Sequence, residues 1–382
     1  MQSRSVAAVA VAGVVMAGCA IVGPEQSAPL TTDEAVAEVG GQCPEWGCGA
    51  NSPAVLNLAG FHELSLVSGE GPGNRTMPDA EGFSITALAG RAQIARSGTT
   101  YALRVQDGRM MGDCAAPCTP LEHAALVGAT IGLVNGPALS QIRIVDVRAM
   151  SYFVDPKATP NAVEAYTLVV DRPGQPTTNL CNNIALLESL LPSEGDYAPS
   201  DLMGMRIFEA IVFEGDRIDG TRKTMSPAAD DRWFNIGCAG SALAKLRLSR
   251  NTLHSQLPPA PTDPLDVPWR RRQATLKLLT ADYCGGGTAL TVAGQHIAWQ
   301  GSGMGFYSAP LDLEARWTEA GATCLGVPRL SRPTSSLGAT TFPDIKYSIT
   351  QACVAAGRTV PPDCADLHDY NFYGALRVSA NR

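Results

Sequence analysis

The sequence predicts an α+β, β-rich fold: an N-terminal β-sandwich or partly open barrel followed by a disulfide-stapled α+β domain. Three observations lead there. Short segments alternating apolar and polar residues, punctuated by Gly, Pro and Asn, recur between residues 55 and 171. Two segments with helical spacing flank a proline-rich stretch in the second half. Finally, 11 cysteines stand in a chain whose first residues have the shape of an export signal.

The elements follow in order. Arg4 gives a positive start, and Val6 to Met16 is an apolar run too short to span a bilayer. Met16-Ala17-Gly18-Cys19 then puts small residues directly before a cysteine. This string resembles the lipobox of bacterial lipoproteins. The resemblance implies cleavage after residue 18 and acylation of Cys19. It also implies a membrane partner, held through the N-terminal lipid. The chain is thus expected in the cell envelope, and in the outer membrane if the cell has two, because Ala20 is not the aspartate of a retention signal. Residues 19–52 lack periodicity and read as a tether.

A β-rich domain is expected over 53–175. Phe83 to Leu88 alternates, Thr100 to Val105 runs into the turn pair Asp107-Gly108, and Ile142 to Val147 and Tyr166 to Val170 are further strands. Pro and Gly punctuate 172–200, and an α+β domain is expected over 176–382. Within it Arg206 to Glu214 alternates as a strand. Ala239 to Arg250 reads as a helix with Lys245 and Arg247 outward. Residues 251–268 carry five prolines, Arg270 to Ala281 returns to helical spacing, and Ile297 to Trp299 lies in a strand.

Charge narrows the partners. Lys and Arg number 29 against 36 Asp and Glu, a net charge of −7 that becomes −8 once Arg4 leaves with the signal. An acidic chain lacks the basic face that nucleic acid requires, so no nucleic acid is expected. An envelope protein or a polysaccharide is the expected partner.

With Cys19 lipidated, an even set of cysteines remains, as a disulfide framework requires. Cys43/Cys48, Cys114/Cys118 and Cys353/Cys364 are close enough in sequence to pair locally. Cys181, Cys238, Cys284 and Cys324 are left for longer-range bonds, with Cys238–Cys284 favoured over Cys284–Cys324. No Cys-x2-Cys spacing occurs, so neither a metal nor another cofactor is expected.

The block Trp233-Phe234-Asn235-Ile236-Gly237-Cys238-Ala239-Gly240 precedes the first helix, and Ala281-Asp282-Tyr283-Cys284 closes the second ahead of Gly285-Gly286-Gly287. Arg316-Trp317, Cys324 and Pro328-Arg329 follow. Together these resemble the ADYC-domain family of bacterial exported proteins over roughly residues 160–330. The family implies no activity. Read physically, the tetrapeptide is a latch: Asp282 accepts hydrogen bonds from the glycine turn, Tyr283 buries its ring and bonds its hydroxyl, and Cys284 pins the helix end.

Candidate chemistry is sparse. Cys284 with His296 as base would be a thiol nucleophile, against a bridged cysteine and a surface histidine. Ser241 lacks the flanking glycines of a nucleophile elbow, and Gly285 to Gly287 lack the helix and lysine of a phosphate loop. No catalytic set is complete. The expectation is a non-catalytic envelope lipoprotein with a binding or scaffolding surface, the alternative a hydrolase of envelope or extracellular polymers.

Overall fold

Strand alternation builds the first layer. In the computed structural model, residues 50–51, 54–69, 74–154, 161–181, 203–256, 268–291, 295–301, 304–305, 312–331, 345–366 and 377–381 are described; for 50–51, 295–301, 304–305, 312 and 377–381 this covers the backbone alone. The strands begin with β1 (Ala50–Asn51), β2 (Glu63–Ser65), β3 (Phe83–Ile85), β4 (Ala87–Leu88), β5 (Arg91–Arg96), β6 (Thr99–Gln106) and β7 (Arg109–Asp113). Then come β8 (Thr130–Asn135), β9 (Ala138–Met150), β10 (Val163–Asp171), β11 (Thr178–Asn179), β12 (Glu209–Gly215), β13 (Ile218–Asp219), β14 (Thr224–Met225) and β15 (Asp230–Cys238). The last are β16 (Gln295–Gly301), β17 (Met304–Gly305), β18 (Asp312–Thr318), β19 (Gly321–Leu325) and β20 (Arg377–Asn381). Three α-helices are described: α1 (Ala242–Leu248), α2 (Pro268–Thr280) and α3 (Ile345–Ala355).

The large antiparallel sheet runs β2-β15-β12-β10-β9-β8-β5-β6-β7, with β3, β4 and β11 paired along it. It curls until the β6–β7 hairpin meets β12. Asp107 and Gly108 both have positive φ, as the tight hairpin turn demands. The Glu214 carboxylate accepts their backbone N–H groups at 2.7 and 3.0 Å. Tyr166 Oη accepts the Met110 N–H at 2.8 Å. Inward side chains from nearly every strand, including Ile94, Val105, Ile131, Ile144, Leu168, Val212 and Phe234, fill one core. The expected choice between sandwich and barrel therefore resolves as a partly open barrel.

The second layer uses the barrel's outer face. Strand β12 is buried throughout. Its Ala210 and Val212 face the barrel core, while Ile211 and Phe213 join a second core with α1, α2 and α3. Gly237 makes this contact close, since a Cβ there would lie 2.6 Å from the Ala244 nitrogen of α1. Ser241 caps α1 by accepting the Ala244 N–H, so this serine is structural. Both Lys245 and Arg247, expected outward, are buried. The helix is covered on all sides, and Arg247 donates to the Asp107 carbonyl of the hairpin tip and to Thr252 Oγ1. A smaller sheet, β1-β16-β20-β18-β19, completes the molecule. The end of the expected tether, Ala50–Asn51, is thus a strand paired with β16.

The division expected at 175/176 falls inside the large sheet, because β10 pairs with β12 across it. Strand-rich structure continues to Cys238. Of the residues 172–200 where a boundary was expected, 182–200 lie outside the described ones.

The disulfides also depart from expectation. Cys114–Cys118 forms as a local pair. Cys353 bonds Cys284, and Cys364 bonds Cys324, so the Cys353/Cys364 pair does not form. Cys238 bonds Cys181 rather than Cys284. The physical reason is α3, which the sequence reading had not placed. Its buried face, Ile345, Ile349, Ala352 and Cys353, packs on the second core and presents Cys353 to Cys284. The chain after α3 then runs beside β19, where the Leu325 N–H donates to the Pro362 carbonyl. Cys43 and Cys48 lie outside the described residues.

Candidate functional site

A small hairpin, β13–β14, stands off the large sheet and walls a pocket. From the barrel side, Glu63 of β2 takes Arg217 Nη2 at 2.9 Å and Nε at 3.1 Å, and lies 3.5 Å from the Ile218 N–H. The Arg217 guanidinium lies 3.7 Å above the Trp233 ring. His62 Nε2 is 2.7 Å from the Ile218 carbonyl, which only accepts, so Nε2 carries the hydrogen.

Helix α2 holds the hairpin from the other side. Gln273 Oε1 accepts the Met225 N–H at 2.5 Å, and Gln273 Nε2 donates to the Lys223 carbonyl at 2.9 Å. Trp269 Nε1 donates to the Met225 carbonyl at 3.0 Å. Lys277 Nζ donates to the Arg222 carbonyl at 2.9 Å and pairs with Asp282 Oδ2 at 2.6 Å. Burial pulls the Lys277 ammonium below its ordinary pKa, against the pull of Asp282.

The segment Ala281-Asp282-Tyr283-Cys284 is the anchor of this arrangement. Ala281 ends α2 in the left-handed conformation, φ 51°. Its N–H donates to the Leu278 carbonyl, and the Asp282 N–H reaches the Lys277 carbonyl, the hydrogen-bond pair of a Schellman ending. Ala281, and none of the three glycines, thus supplies the left-handed residue at which α2 ends. The glycines instead admit close neighbours. A Cβ on Gly285 would lie 1.8 Å from the Ala320 carbonyl oxygen, one on Gly286 2.6 Å from Ala356 Cβ, and one on Gly287 2.3 Å from the Thr221 carbonyl oxygen. Asp282 Oδ2 also accepts the Gly287 N–H at 2.7 Å. Tyr283 stacks on Trp317 with ring centroids 5.1 Å apart and donates its hydroxyl to Glu314. Arg329, fully buried like Glu314, answers that carboxylate through Nε at 2.5 Å and Nη2 at 2.9 Å. Burial, with the Glu314 charge, pushes the Tyr283 hydroxyl well above its ordinary pKa.

Between the hairpin and the 79–81 turn lies a cavity of about 700 Å³ lined by Glu63, Ala80, Glu81 and residues 217–222 and 224–226. Its charged lining is Glu63, Glu81, Arg217, Asp219 and Arg222. Behind it sits Asp79, whose Oδ1 accepts the N–H of Glu81 at 3.0 Å and of Phe83 at 2.6 Å. Burial pushes the Asp79 carboxyl up to about 6, and the Glu81 and Glu63 charges add to this. His62 Nδ1 faces Glu81 Oε2 at 4.0 Å, and neither atom has a hydrogen-bond partner among the described residues.

A second polar constellation lies on the barrel. His123, positive in φ and mostly exposed, bonds through Nδ1 to the buried Glu164. The other Glu164 oxygen takes the Tyr166 hydroxyl at 2.6 Å.

Of the residues expected to carry chemistry, Cys284 is bonded to Cys353, so its sulfur is neither a free thiol nor a thiolate. His296 lies in β16, where the backbone alone is described, and the structure does not bring it together with Cys284 by any described contact. Cys19 lies outside the described residues. Among the described residues no group of three or more His, Cys, Asp or Glu is placed to hold a metal ion. None of the described helices is long and apolar enough to cross a membrane. The pocket has no signature in the sequence, since Glu63 of β2, Glu81 of a turn and Arg217 between β12 and β13 meet through the fold and no local spacing joins them.

The ADYC domain family model matches residues 123–331, more than half the chain. The chain belongs to the ADYC-domain family. The match takes in the hairpin, α1, α2, the latch and Arg329, while His62, Glu63, Asp79 and Glu81 precede it. No curated protein and no solved structure matches the chain.

Proposed function

We propose that this ADYC protein is a lipid-anchored envelope protein that works by binding, with Cys19 as its anchor and the pocket as its ligand site. The observation that carries the reading is the cavity of about 700 Å³ with a wall fixed from both sides, by Glu63 and His62 and by α2 and the latch. A pocket of that size with convergent polar groups on a preformed frame suits a small polar ligand or one unit of a polymer. Carboxylate and guanidinium groups side by side match the hydroxyls and amines of envelope saccharides.

The test has two parts. Cys19→Ala should move the protein from the membrane fraction to the soluble one, since acyl chains contribute about 0.8 kcal/mol per buried CH₂. Ala80→Trp should fill the exposed mouth of the pocket, abolishing cosedimentation with purified cell-wall polymer without lowering stability. Equal sedimentation of wild type and Ala80→Trp would remove the pocket from the function.

The hydrolase reading has one observation in its favour. A carboxyl pushed to about 6 beside the carboxyl groups of Glu63 and Glu81 is an acid–base arrangement. Against it, Asp79 is 7% exposed and its Oδ1 is committed to two backbone N–H groups. Release of soluble fragments from the polymer, lost in Asp79→Asn, would favour hydrolysis over binding.

A further inference from the structure

We propose that the Cys114–Cys118 bond is a thiol-exchange site, which a dithiol reduces and a disulfide reforms while the other described bonds stay closed. None of its residues lines the pocket. The first observation is access. Cys114 and Cys118 are half-buried, and Ala115, Ala116 and Pro117 between them are exposed. Each of the other three described bonds contains a buried cysteine: Cys181 in one, Cys284 and Cys353 in the next, Cys324 and Cys364 in the last. Exchange begins with attack of a thiolate on sulfur. The exposed bond is the one that an external thiol reaches without opening a core.

The second observation is how little the fold leans on this bond. It joins residues 4 apart in sequence, against 57, 69 and 40 for the others. Its loop is already closed at the base, where Gly112 and Leu121 exchange backbone hydrogen bonds of 2.9 Å in both directions. Met110, Leu121 and Leu126 seat both sides of that base in the barrel core. The stability that a bond lends the folded state returns as its resistance to reduction, and both grow with the length of chain enclosed. Cys114–Cys118 is thus the most reducible of the described bonds. The exchange balances over two electrons. One thiolate of the dithiol attacks one sulfur of the pair; a mixed S–S bond forms as the Cys114–Cys118 bond breaks, and the departing thiolate takes a proton. The second thiolate of the dithiol then attacks its own sulfur in the mixed bond and releases the other cysteine as a thiol. The dithiol leaves as a disulfide, having given two electrons and two protons. Reoxidation runs these steps backward with a disulfide as the oxidant. The reduced product is an intact barrel carrying two surface thiols.

Graded dithiothreitol on the folded, full-length protein in detergent tests this, with free thiols trapped by N-ethylmaleimide and located by peptide mass spectrometry. Cys114 and Cys118 should be trapped together at a reductant concentration about tenfold or more below that opening any other described bond. Tryptophan fluorescence should stay that of the folded protein at that point. Oxidised dithiothreitol should then reform the same pair. The double variant Cys114→Ser, Cys118→Ser should fold, melt cooperatively and lose this early trapping while the other bonds open as in wild type. Opening of Cys114–Cys118 in one step with a buried bond, or after one, would overturn the proposal. Failure of the pair to reform would overturn it too, because exchange must run both ways. A double variant that does not fold would overturn it by making the bond a staple of the barrel.

Discussion

Asp79→Asn should make the protein more stable, and only above a defined pH. In the folded protein the Asp79 carboxyl is pushed from 3.8 to about 6, chiefly by burial. At 1.36 kcal/mol per pKa unit, that difference corresponds to up to ~3 kcal/mol. The sign follows from proton binding. Between the unfolded and folded values the native state holds the extra proton, so stability falls as pH rises through that window. Asp79 therefore costs nothing below pH 3.8, and its full cost is present above about pH 6. Asparagine is isosteric, stays neutral, and keeps an oxygen for the Glu81 and Phe83 N–H groups. It accepts more weakly than a carboxylate, which offsets about 1 kcal/mol of the gain. The expected net gain is about 1–2 kcal/mol at about pH 8, shrinking toward zero near pH 4. Urea unfolding with disulfides intact, followed by tryptophan fluorescence at both pH values, measures it. The same change in midpoint at both would show that Asp79 titrates normally and that the pocket carries no excess negative charge.

The remaining predictions concern the latch. Cys284→Ser breaks the bond to Cys353 and should cost about 2–5 kcal/mol, with one new thiol titratable after unfolding; an unchanged melt would refute the latch. Glu314→Gln leaves the buried Arg329 without its counter-charge and should cost about 3–5 kcal/mol, whereas Tyr283→Phe removes one hydroxyl and should cost about 1 kcal/mol. Equal losses in the two variants would mean that the tyrosine, not the ion pair, holds that region. Gly287→Ala places a methyl 2.3 Å from the Thr221 carbonyl oxygen at a φ of +93°. It should displace the hairpin and weaken ligand binding, while Cys284–Cys353 stays formed under non-reducing conditions.

Much of this fold is legible wherever burial follows a short period. Strands β3, β6, β9, β10 and β12 announce themselves by alternation, and Asp107-Gly108 by its turn chemistry. The latch is legible in part: Asp282 pairs with Lys277 and accepts from Gly287, each five residues away, whereas the partners of Tyr283 and the close neighbours of the glycines lie far along the chain. What stayed hidden is long-range. Lys245 and Arg247 read as outward because a helix with basic residues normally has a wet face, yet α1 is enclosed by the sheet, α2 and the hairpin tip. Cys353 and Cys364 looked like a local pair because spacing says nothing of α3, whose buried face sends Cys353 to Cys284. The pocket was least visible. Glu63 and Arg217 are 154 residues apart, one on β2 and the other between β12 and β13, and no local spacing joins them.

The family motif and the pocket are consequently parts of one structure. Asp282 pairs with Lys277, Lys277 holds the Arg222 carbonyl, and Gly287 passes Thr221 and Arg222 of the hairpin. Tyr283, Glu314, Arg329 and the Cys284–Cys353 bond fix the other side of the tetrapeptide, so it has little freedom to move. A motif this constrained is poorly suited to nucleophilic chemistry, where the reacting sulfur must be free. It is well suited to hold a binding wall at constant distance from Glu63, His62 and Glu81. Those three residues lie before the family match, which begins at residue 123. The hairpin and its support thus belong to the shared domain, while the charged groups facing it come from the preceding strands. Ligand choice in this protein is accordingly expected to reside in residues 62–81, and positioning of the opposite wall in the motif.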